Sequence, residues 1–229
     1  MKSNGQIRSY AIFRTQSTDH HSVFAMRLPA ITQHIKWWAL GGWYVFFCLL
    51  YSFTGHFQWQ PPMVMELWQI DQRIPFLSWT VWIYFSQYLL LLLTGWSLKK
   101  TQHLSQFIYS ILWASLFASL IFYFFPVVFP RVPQATFGIN TSLFGFLYFI
   151  DTPANCFPSL HVALACLTVP NVAKAHKHWG FFVGLWVGLI ALSTLTTKQH
   201  YFIDVLGGLL LALVCYWFSG VTVSDARKF

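Results

Sequence analysis

Six long apolar stretches dominate this sequence and restrict what it can fold into. They run over residues 37–53, 76–96, 107–125, 159–173, 179–195 and 203–221. A helix needs about 20 mostly apolar residues to cross the hydrocarbon core of a bilayer. The pattern therefore predicts an all-α integral membrane protein, built as a bundle of six transmembrane helices. The fourth stretch is short and carries Pro170 near its end, so its boundaries are the least defined.

The positive charges between these stretches predict how the chain is oriented. If all six stretches cross, both tails and the second and fourth loops share one side, which holds 11 of the 14 Lys and Arg residues. The opposite side holds the other three: Arg73, Arg131 and Lys198. Cytoplasmic loops are the ones enriched in Lys and Arg. We therefore expect both termini in the cytoplasm, and the loops before His161 and His200 on the extracytoplasmic side.

The composition excludes most soluble classes of protein. Hydrophobic residues make up 56% of the chain and charged residues 9%, whereas soluble domains are about a quarter charged. The net charge of +8 would suggest nucleic acid in a soluble protein. Here the cations flank apolar stretches, so we expect no nucleic-acid partner. We divide the chain into a basic cytoplasmic segment (1–36), a six-span domain (37–221) and a cytoplasmic tail (222–229). No apolar run opens the chain, so we expect no cleaved signal peptide.

The connection between the third and fourth stretches, residues 126–158, is long for a helical bundle. It is apolar, particularly over residues 137–150. We expect that part to form a re-entrant or interfacial segment that covers a site on the extracytoplasmic side. The alternative is a seventh span, which would move His161 and His200 to the cytoplasmic side and spoil the charge distribution.

Two histidine motifs lie where an apolar stretch meets a polar loop. The first reads Asn155-Cys156-Phe157-Pro158-Ser159-Leu160-His161. The second reads Lys198-Gln199-His200-Tyr201-Phe202-Ile203-Asp204. His200 and Asp204 are four residues apart, which puts both side chains on one face if a helix begins there. Ionisable groups are expensive beside hydrocarbon, so their placement here is a functional hypothesis.

The two motifs hold the groups that phosphoryl transfer at a membrane surface requires. A neutral imidazole can attack phosphorus directly, and a carboxylate on its other nitrogen fixes the tautomer and stabilises the imidazolium that forms. We assign those roles to His200 and Asp204, and we assign to His161 the acid that protonates the leaving oxygen. The donors for the phosphoryl oxygens are then Arg131, Lys198 and Ser159 with the backbone N–H groups that open its helix.

The four cysteines indicate neither a disulfide framework nor a zinc site, since no CxxC or Cys/His ligand spacing occurs. Cys156 is close to His161 in sequence, and it could be a metal ligand or a nucleophile. No second thiol or base accompanies it at a suitable spacing, so we expect neither role and no metal in the site. We expect Asp151 near the rim of the pocket. The other seven histidines are interpreted as surface or capping residues.

Three runs of residues resemble the type-2 phosphatidic acid phosphatase superfamily, and within it the branch that contains inositol-phosphorylceramide (aureobasidin-resistance) synthases. They are the two histidine motifs and Phe125-Pro126-Val127-Val128-Phe129-Pro130-Arg131. The resemblance covers about residues 70 to 210 of the chain. It implies His200 as the nucleophile, Asp204 as its partner, His161 as acid and base, and no cofactor.

The chain matches this family's pattern incompletely. The first part is a lysine, six residues and then Arg-Pro, and here Arg131 fits while Phe124 stands at the lysine. The second part is Pro-Ser-Gly-His, with Leu160 in place of the glycine. The third part is Ser-Arg, five residues, His, three residues and Asp. Ser193 fits the serine and becomes a substrate-binding candidate, but Thr194 replaces the arginine. Two family cations are therefore missing, which weakens the case for soluble, highly charged substrates.

The motifs and this resemblance predict a membrane lipid phosphatase that hydrolyses a lipid phosphate or diphosphate through a phosphohistidine at the extracytoplasmic face. The alternative is a phosphotransferase of the sphingolipid-synthase kind, in which a lipid hydroxyl instead of water accepts the phospho-headgroup. A third alternative, a non-catalytic lipid transporter, would require polar residues through several spans, and these spans hold few. We expect a bacterial inner membrane as the location. The sequence identifies neither the lipid nor the oligomeric state.

Overall fold

A computed structural model describes residues 28–133 and 138–222 of this chain, and within these ranges the protein is mostly helical. The elements are α1 (Lys36–His56), β1 (Met63–Val64), α2 (Gln69–Arg73), α3 (Val81–Ser97), α4 (Thr101–Phe124), β2 (Val127–Val128), α5 (Thr141–Ile150), α6 (Leu160–Ala175), α7 (Trp179–Thr196) and α8 (Phe202–Thr222). Short 3-10 turns cover Ser78–Thr80 and Gly138–Asn140. The predictions made for residues 1–27, for residue 137 and for the tail after residue 222 lie outside the described residues.

Long helices lie at all six predicted apolar stretches, namely α1, α3, α4, α6, α7 and α8. Among the described residues, α4, α7 and α8 are both long and apolar enough to cross a membrane. Helix α1 has 21 residues, but its Trp, Tyr and Gly residues make it less apolar. Helices α3 and α6 have 17 and 16 residues, fewer than the about 20 that a full crossing takes. The apolar helical character is confirmed, and the crossing of all six stays a prediction.

Helix α6 lies at the centre of the bundle, where it packs against α3, α4, α7 and α8. Its small residues let these neighbours come close, and Ala163, Ala165 and Thr168 are completely buried. The main hydrophobic core joins α6 to α4 and α8 through side chains that include Leu164 and Leu211. The first turn of α6 therefore carries the first histidine motif into the interior of the protein.

Large apolar side chains cover the outer surface of the helices. Trp38, Phe181 and Trp217, for example, are 84%, 68% and 70% exposed. Soluble monomers rarely expose large apolar patches, whereas helices in a bilayer turn such side chains toward lipid. This surface and the apolar helices together indicate an integral membrane protein.

A small parallel ribbon connects the loops and has no counterpart in the sequence predictions. Strands β1 and β2 pair with each other, Met63 opposite Val127, and Val127 forms a further bridge to Asn155. The backbone N–H of Cys156 donates to the Val127 carbonyl at 3.2 Å. The ribbon thus ties the loop after α1 and the segment after α4 to the start of the first histidine motif.

Helix α5 occupies most of the apolar loop that was expected to cover the site. It has ten residues, which is about 15 Å of helix and half of the hydrocarbon thickness. A seventh span at this point is therefore excluded by length. Phe144 and Leu147 pack against Val81 and Tyr84, so α5 lies against the first turn of α3. Its position relative to a bilayer stays a prediction.

Candidate active site

His200 and Asp204 form a close pair at the beginning of α8. His200 Nδ1 lies 3.3 Å from Asp204 Oδ2, and their side chains are 9% and 0% exposed. His200 precedes the first helical residue, so the pair does not depend on a shared helix face as the spacing had suggested. Instead the carboxylate reaches back and also accepts the Tyr201 backbone N–H at 2.8 Å. Asp204 therefore caps the helix N-terminus, where a negative charge is favourable, and orients the imidazole.

The pair leaves one nitrogen of His200 available for chemistry. A neutral imidazole carries one proton, and the carboxylate, which can only accept, holds that proton on Nδ1. The lone pair is then on Nε2. No hydrogen bond to Nε2 is formed by the part of the chain that the structure describes. His200 is thus arranged as a nucleophile or base whose reactive atom is Nε2.

Cys156 contacts the same carboxylate, which the sequence analysis did not anticipate. Its thiol donates to Asp204 Oδ2 at 2.9 Å and lies 3.6 Å from His200 Nδ1. Burial, and secondarily the nearby Asp204 charge, raise the pKa of the Cys156 thiol well above its usual value, so the thiol is protonated at neutral pH. The partners of Cys156, His200 and Asp204, are 44 and 48 residues away in sequence, so a spacing rule could not find them.

A small cleft opens beside this pair. Its lining includes the predicted residues Arg131, Lys198 and His200, which the fold brings together from two parts of the chain. The other lining residues are Phe129, Asp151, Thr152, Pro153, Asn155, Cys156 and Gln199. Asp151 thus lies beside the pocket, as predicted. Ser159, Ser193 and His161 are not part of the lining.

Arg131 is held at the cleft by the backbone around the end of α5. Its guanidinium donates to the Tyr148 carbonyl at 3.2 Å and to the Asp151 carbonyl at 2.7 Å, and it lies 4.3 Å from the centre of the Tyr148 ring. Guanidinium has five N–H donors, so these two bonds leave three. Arg131 is also exposed, and it can present those donors to an anion in the cleft.

Lys198 is engaged mainly with the protein itself. Its ammonium donates to the carbonyls of Asp71 and Ile74 at 2.9 and 2.6 Å, which leaves one of its three protons. Its backbone has φ 55°, the left-handed conformation that non-glycine residues seldom adopt. Burial lowers the pKa of Lys198, and the Asp71 charge opposes that shift. Lys198 thus anchors the bend just before His200, and its role as a phosphate cation stays a prediction.

Asp71 is a second anchor of this loop, and it was missed in the sequence. It is 4% exposed; Oδ1 accepts the Phe202 backbone N–H at 2.7 Å, and Oδ2 accepts the Trp68 N–H at 3.0 Å. It therefore caps α8 from the short helix α2, while its own carbonyl receives Lys198. The contact with Trp68 is local, but the contacts that tie Asp71 to this loop join it to Phe202 and Lys198, 131 and 127 residues away, and no sequence pattern marks them.

The remaining predicted site residues have structural partners. Ser159 caps α6, accepting the Val162 N–H at 3.3 Å, and its own N–H donates to the Asp204 carbonyl at 3.0 Å. Ser193 is buried in α7 and donates to the Ile190 carbonyl at 2.6 Å. Ser159 therefore links the two histidine motifs, whereas Ser193 is not brought to the cleft. Their roles toward substrate stay predictions.

His161 is buried beside the cleft rather than in its lining. Nε2 is 2.8 Å from the Tyr84 carbonyl, and the ring is stacked on Tyr84 with centroids 3.8 Å apart. A carbonyl only accepts, so Nε2 carries a proton and Nδ1 has the lone pair of the neutral ring. The acid role of His161 stays a prediction, and it would require Nε2–H to leave this carbonyl or Nδ1 to bind the proton.

Asp151 is half-buried and lies at the cleft. The Tyr51 hydroxyl of α1 donates to its Oδ1. Burial raises the pKa of the Asp151 carboxyl, while the Tyr51 hydrogen bond and the charges of His200 and Arg131 act in the opposite direction. The Tyr51 contact spans 100 residues, and no sequence signal pointed to it.

Comparisons with known proteins agree with these features. The family model of the PAP2 superfamily matches residues 54–218 of this chain. A PA-phosphatase related-family protein of Dictyostelium discoideum is 30% identical over 185 residues, which are 68% of this chain and 33% of that protein. The inositol phosphorylceramide synthase catalytic subunit of Schizosaccharomyces pombe is 30% identical over 84 residues, 34% of this chain and 20% of that protein. The chain thus spans a third or less of these two relatives' lengths. No solved structure matches significantly.

Proposed function

This chain belongs to the PAP2 superfamily, and from that premise we propose that it is a membrane lipid phosphatase acting on a lipid phosphate or diphosphate. The observation that carries the proposal is the His200–Asp204 pair at the cleft, in which Nδ1 faces the carboxylate and Nε2 has no hydrogen-bond partner among the described residues. Members of this superfamily are phosphatases or phosphotransferases. Lipid substrates are supported by the apolar helices and by the kinship with a sphingolipid synthase.

The first step of the proposed reaction is attack of His200 Nε2 on phosphorus. A bond forms between Nε2 and phosphorus while the bond to the leaving oxygen breaks, and the imidazolium that results is stabilised by Asp204. Arg131 donates to the non-bridging oxygens through its remaining N–H groups. His161 supplies the proton to the leaving oxygen. Neutral His161 then takes a proton from the water that attacks the phosphohistidine, and the release of phosphate restores both the imidazole of His200 and the protonated form of His161. The sequence of steps uses no metal or cofactor.

The proposal places this chemistry at the extracytoplasmic face. Its support is the distribution of Lys and Arg along the sequence, which puts both termini in the cytoplasm. The cleft residues Arg131 and His200 belong to loops that this topology assigns to the opposite side. A lipid substrate would enter from the bilayer with its headgroup at that surface.

The second candidate is a lipid phosphotransferase, which the kinship with the inositol phosphorylceramide synthase subunit favours. The first half-reaction would be the same. A lipid hydroxyl would then take the place of water, and helix α5, with Phe146 and Phe149 exposed, offers an apolar surface beside the cleft for a second lipid.

The two candidates are separated by measuring phosphate release from a panel of lipid phosphates and diphosphates with purified protein in EDTA. We expect release by the wild type, an acid-labile phosphoryl group on the protein, and loss of both in His200→Ala. His178→Ala removes an exposed histidine at the other end of α7 and is the matched control. His200-dependent headgroup exchange that requires a second lipid would favour the transferase. Absence of both activities on every lipid would refute the enzyme and leave the transporter.

A further inference from the structure

Three different donor atoms converge at the base of the cleft. Cys156 Sγ, His200 Nδ1 and Asp204 Oδ2 are separated by 3.6 Å (Sγ–Nδ1), 2.9 Å (Sγ–Oδ2) and 3.3 Å (Nδ1–Oδ2). All three side chains are buried. Thiolate, imidazole and carboxylate are the ligand types found in zinc sites.

The separations can be compared with those around a tetrahedral ion. With Zn–S of about 2.3 Å and Zn–N and Zn–O of about 2.0–2.2 Å, tetrahedral angles give roughly 3.6 Å between S and N and roughly 3.4 Å between N and O. These two values match the structure. The S–O value would be roughly 3.6 Å by the same geometry, so the thiol and carboxylate would have to separate by about 0.7 Å. That pair is closer in the structure because the thiol donates a hydrogen bond to Oδ2.

The carboxylate also has an acceptor that the protein leaves unused. Asp204 Oδ1 is buried and has no hydrogen-bond partner among the described residues. Buried polar atoms are normally satisfied, and an exception calls for an explanation such as an ion. The Gln199 carbonyl oxygen lies 3.4 Å from Sγ and is a further oxygen beside the three donor atoms. The site therefore has suitable ligand types at suitable distances, and a carboxylate oxygen that a bound cation could stabilise.

We propose that Cys156, His200 and Asp204 form a binding site for a soft divalent cation such as Zn²⁺, and that the bound ion inhibits the enzyme. Thiolate selects such ions over Mg²⁺ and Ca²⁺, which take oxygen ligands. On binding, Cys156 releases its proton to solvent and Sγ bonds the metal. His200 bonds the metal through Nδ1.

The inhibition follows from the two nitrogens of one imidazole. When Nδ1 gives its lone pair to the ion, the single proton of the neutral ring moves to Nε2. Nε2–H has no lone pair with which to attack phosphorus. The same ion also occupies Asp204, which otherwise stabilises the imidazolium. This part of the inference rests on the proposed function, whereas the metal binding itself does not.

The binding is tested with Co²⁺ as a spectroscopic probe of the purified full-length protein. We expect a thiolate-to-Co²⁺ charge-transfer band that saturates at one ion per chain and is displaced by Zn²⁺. The band should disappear in Cys156→Ser, whose hydroxyl keeps a hydrogen-bond donor but is a poor metal ligand, and persist in the matched control Cys166→Ser on α6. A wild type without the band, or a band that survives in Cys156→Ser, would overturn the site. The wild-type spectrum decides this even if the Cys156 variant fails to fold.

The inhibition is tested separately, with phosphate release measured against Zn²⁺ concentration and each variant compared with its own metal-free rate. Loss of the Cys156 ligand in Cys156→Ser should raise the half-inhibitory Zn²⁺ concentration at least about tenfold. Residues that only support a metal ligand already change metal affinity by about 10–100-fold when they are mutated. EDTA should restore the wild-type rate. Zn²⁺ that binds by the Co²⁺ competition assay but leaves the rate unchanged would refute the inhibition. A protein inactive on all substrates would refute the proposed function while leaving the binding result intact.

Discussion

The close approach of helix α8 to the first histidine motif predicts that Gly208→Ala will damage both stability and activity. Gly208 lies on α8, and a Cβ there would collide with the Ser159 backbone carbonyl and come within 3.1 Å of Val162 Cβ. Ser159 is the cap of α6 and donates to the Asp204 carbonyl. The backbone of α6 cannot rotate away as a side chain can. Helix α8 must therefore move from α6, and it carries Asp204 and the loop of His200 with it.

The size of the effect follows from the displacement. Overpacking of this kind costs about 1–3 kcal/mol of folding free energy. Relief of the collision takes a shift of roughly 1 Å at the helix contact, and a misplacement of that size in a catalytic group can lower a rate about 100-fold. We therefore expect a lowered unfolding temperature and, in the protein that remains folded, a kcat about 100-fold below the wild type with a smaller change in KM.

The comparison that isolates this contact is Gly188→Ala on α7. A Cβ at Gly188 meets nothing within 4 Å, so alanine should keep the activity and stabilise the helix by up to about 1 kcal/mol. Both variants are measured by thermal unfolding in detergent and by steady-state phosphate release. Equal, wild-type behaviour of Gly208→Ala and Gly188→Ala would show that α6 and α8 do not approach as closely as the structure has them, and the reasoning would fail.

Three further predictions concern the carboxylates of the site. Asp204→Asn keeps the shape of the side chain but presents an amide to His200 in place of the carboxylate, so kcat should fall on the order of 10³–10⁴-fold. A kcat near the wild-type value would refute the catalytic role of the His200–Asp204 pair. Asp71→Asn removes the charge and leaves one of the two part-buried N–H donors, of Trp68 and Phe202, without an acceptor. This should lower the unfolding free energy by about 1–3 kcal/mol, whereas Glu66→Gln, at an exposed position, should not change it. The pKa of the Asp151 carboxyl is raised in the folded state, so folding favours its neutral form. The stability that Asp151 contributes is therefore present at low pH and is lost as pH rises through the folded pKa. Asp151→Asn should therefore raise the unfolding temperature at neutral pH, with the gain shrinking toward pH 4; a gain that grows on acidification would contradict the sign.

The sequence predicts the helices of this protein well because each one is encoded locally. Continuous apolar runs locate the six long helices, and Ser159 before Leu160 marks the start of α6 by its capping role. Pairing of His200 with Asp204 was also predicted, although the structural reason differs. The carboxylate reaches back to a residue before the helix instead of along its face. The strands β1 and β2 were missed, because two residues are too few to show a strand pattern.

The contacts that complete the site are non-local, and no spacing rule could find them. Cys156 meets Asp204 across 48 positions, and Asp71 meets Phe202 across 131. No ligand or base stands at a suitable spacing from Cys156 in sequence, whereas the folded chain brings two such groups, His200 and Asp204, to its thiol. Lys198 lines the cleft, but its ammonium is bound to carbonyls of Asp71 and Ile74, and only the tertiary structure shows these contacts.

The electrostatics of the cleft bear on which substrates the proposed enzyme can use. Arg131 is the cation with donors to spare, while Lys198 has one proton left after anchoring its loop. The carboxylates of Asp151 and Asp204 lie at the same cleft or beneath it. Coulombic attraction for a phosphate dianion is therefore modest, and a soluble phosphate ester would gain little from it. A lipid adds the contact of its chains with apolar helix surface, and binding energy from such remote groups can be used to position the reacting phosphorus. The shortage of cations and the apolar surroundings thus favour the same class of substrate.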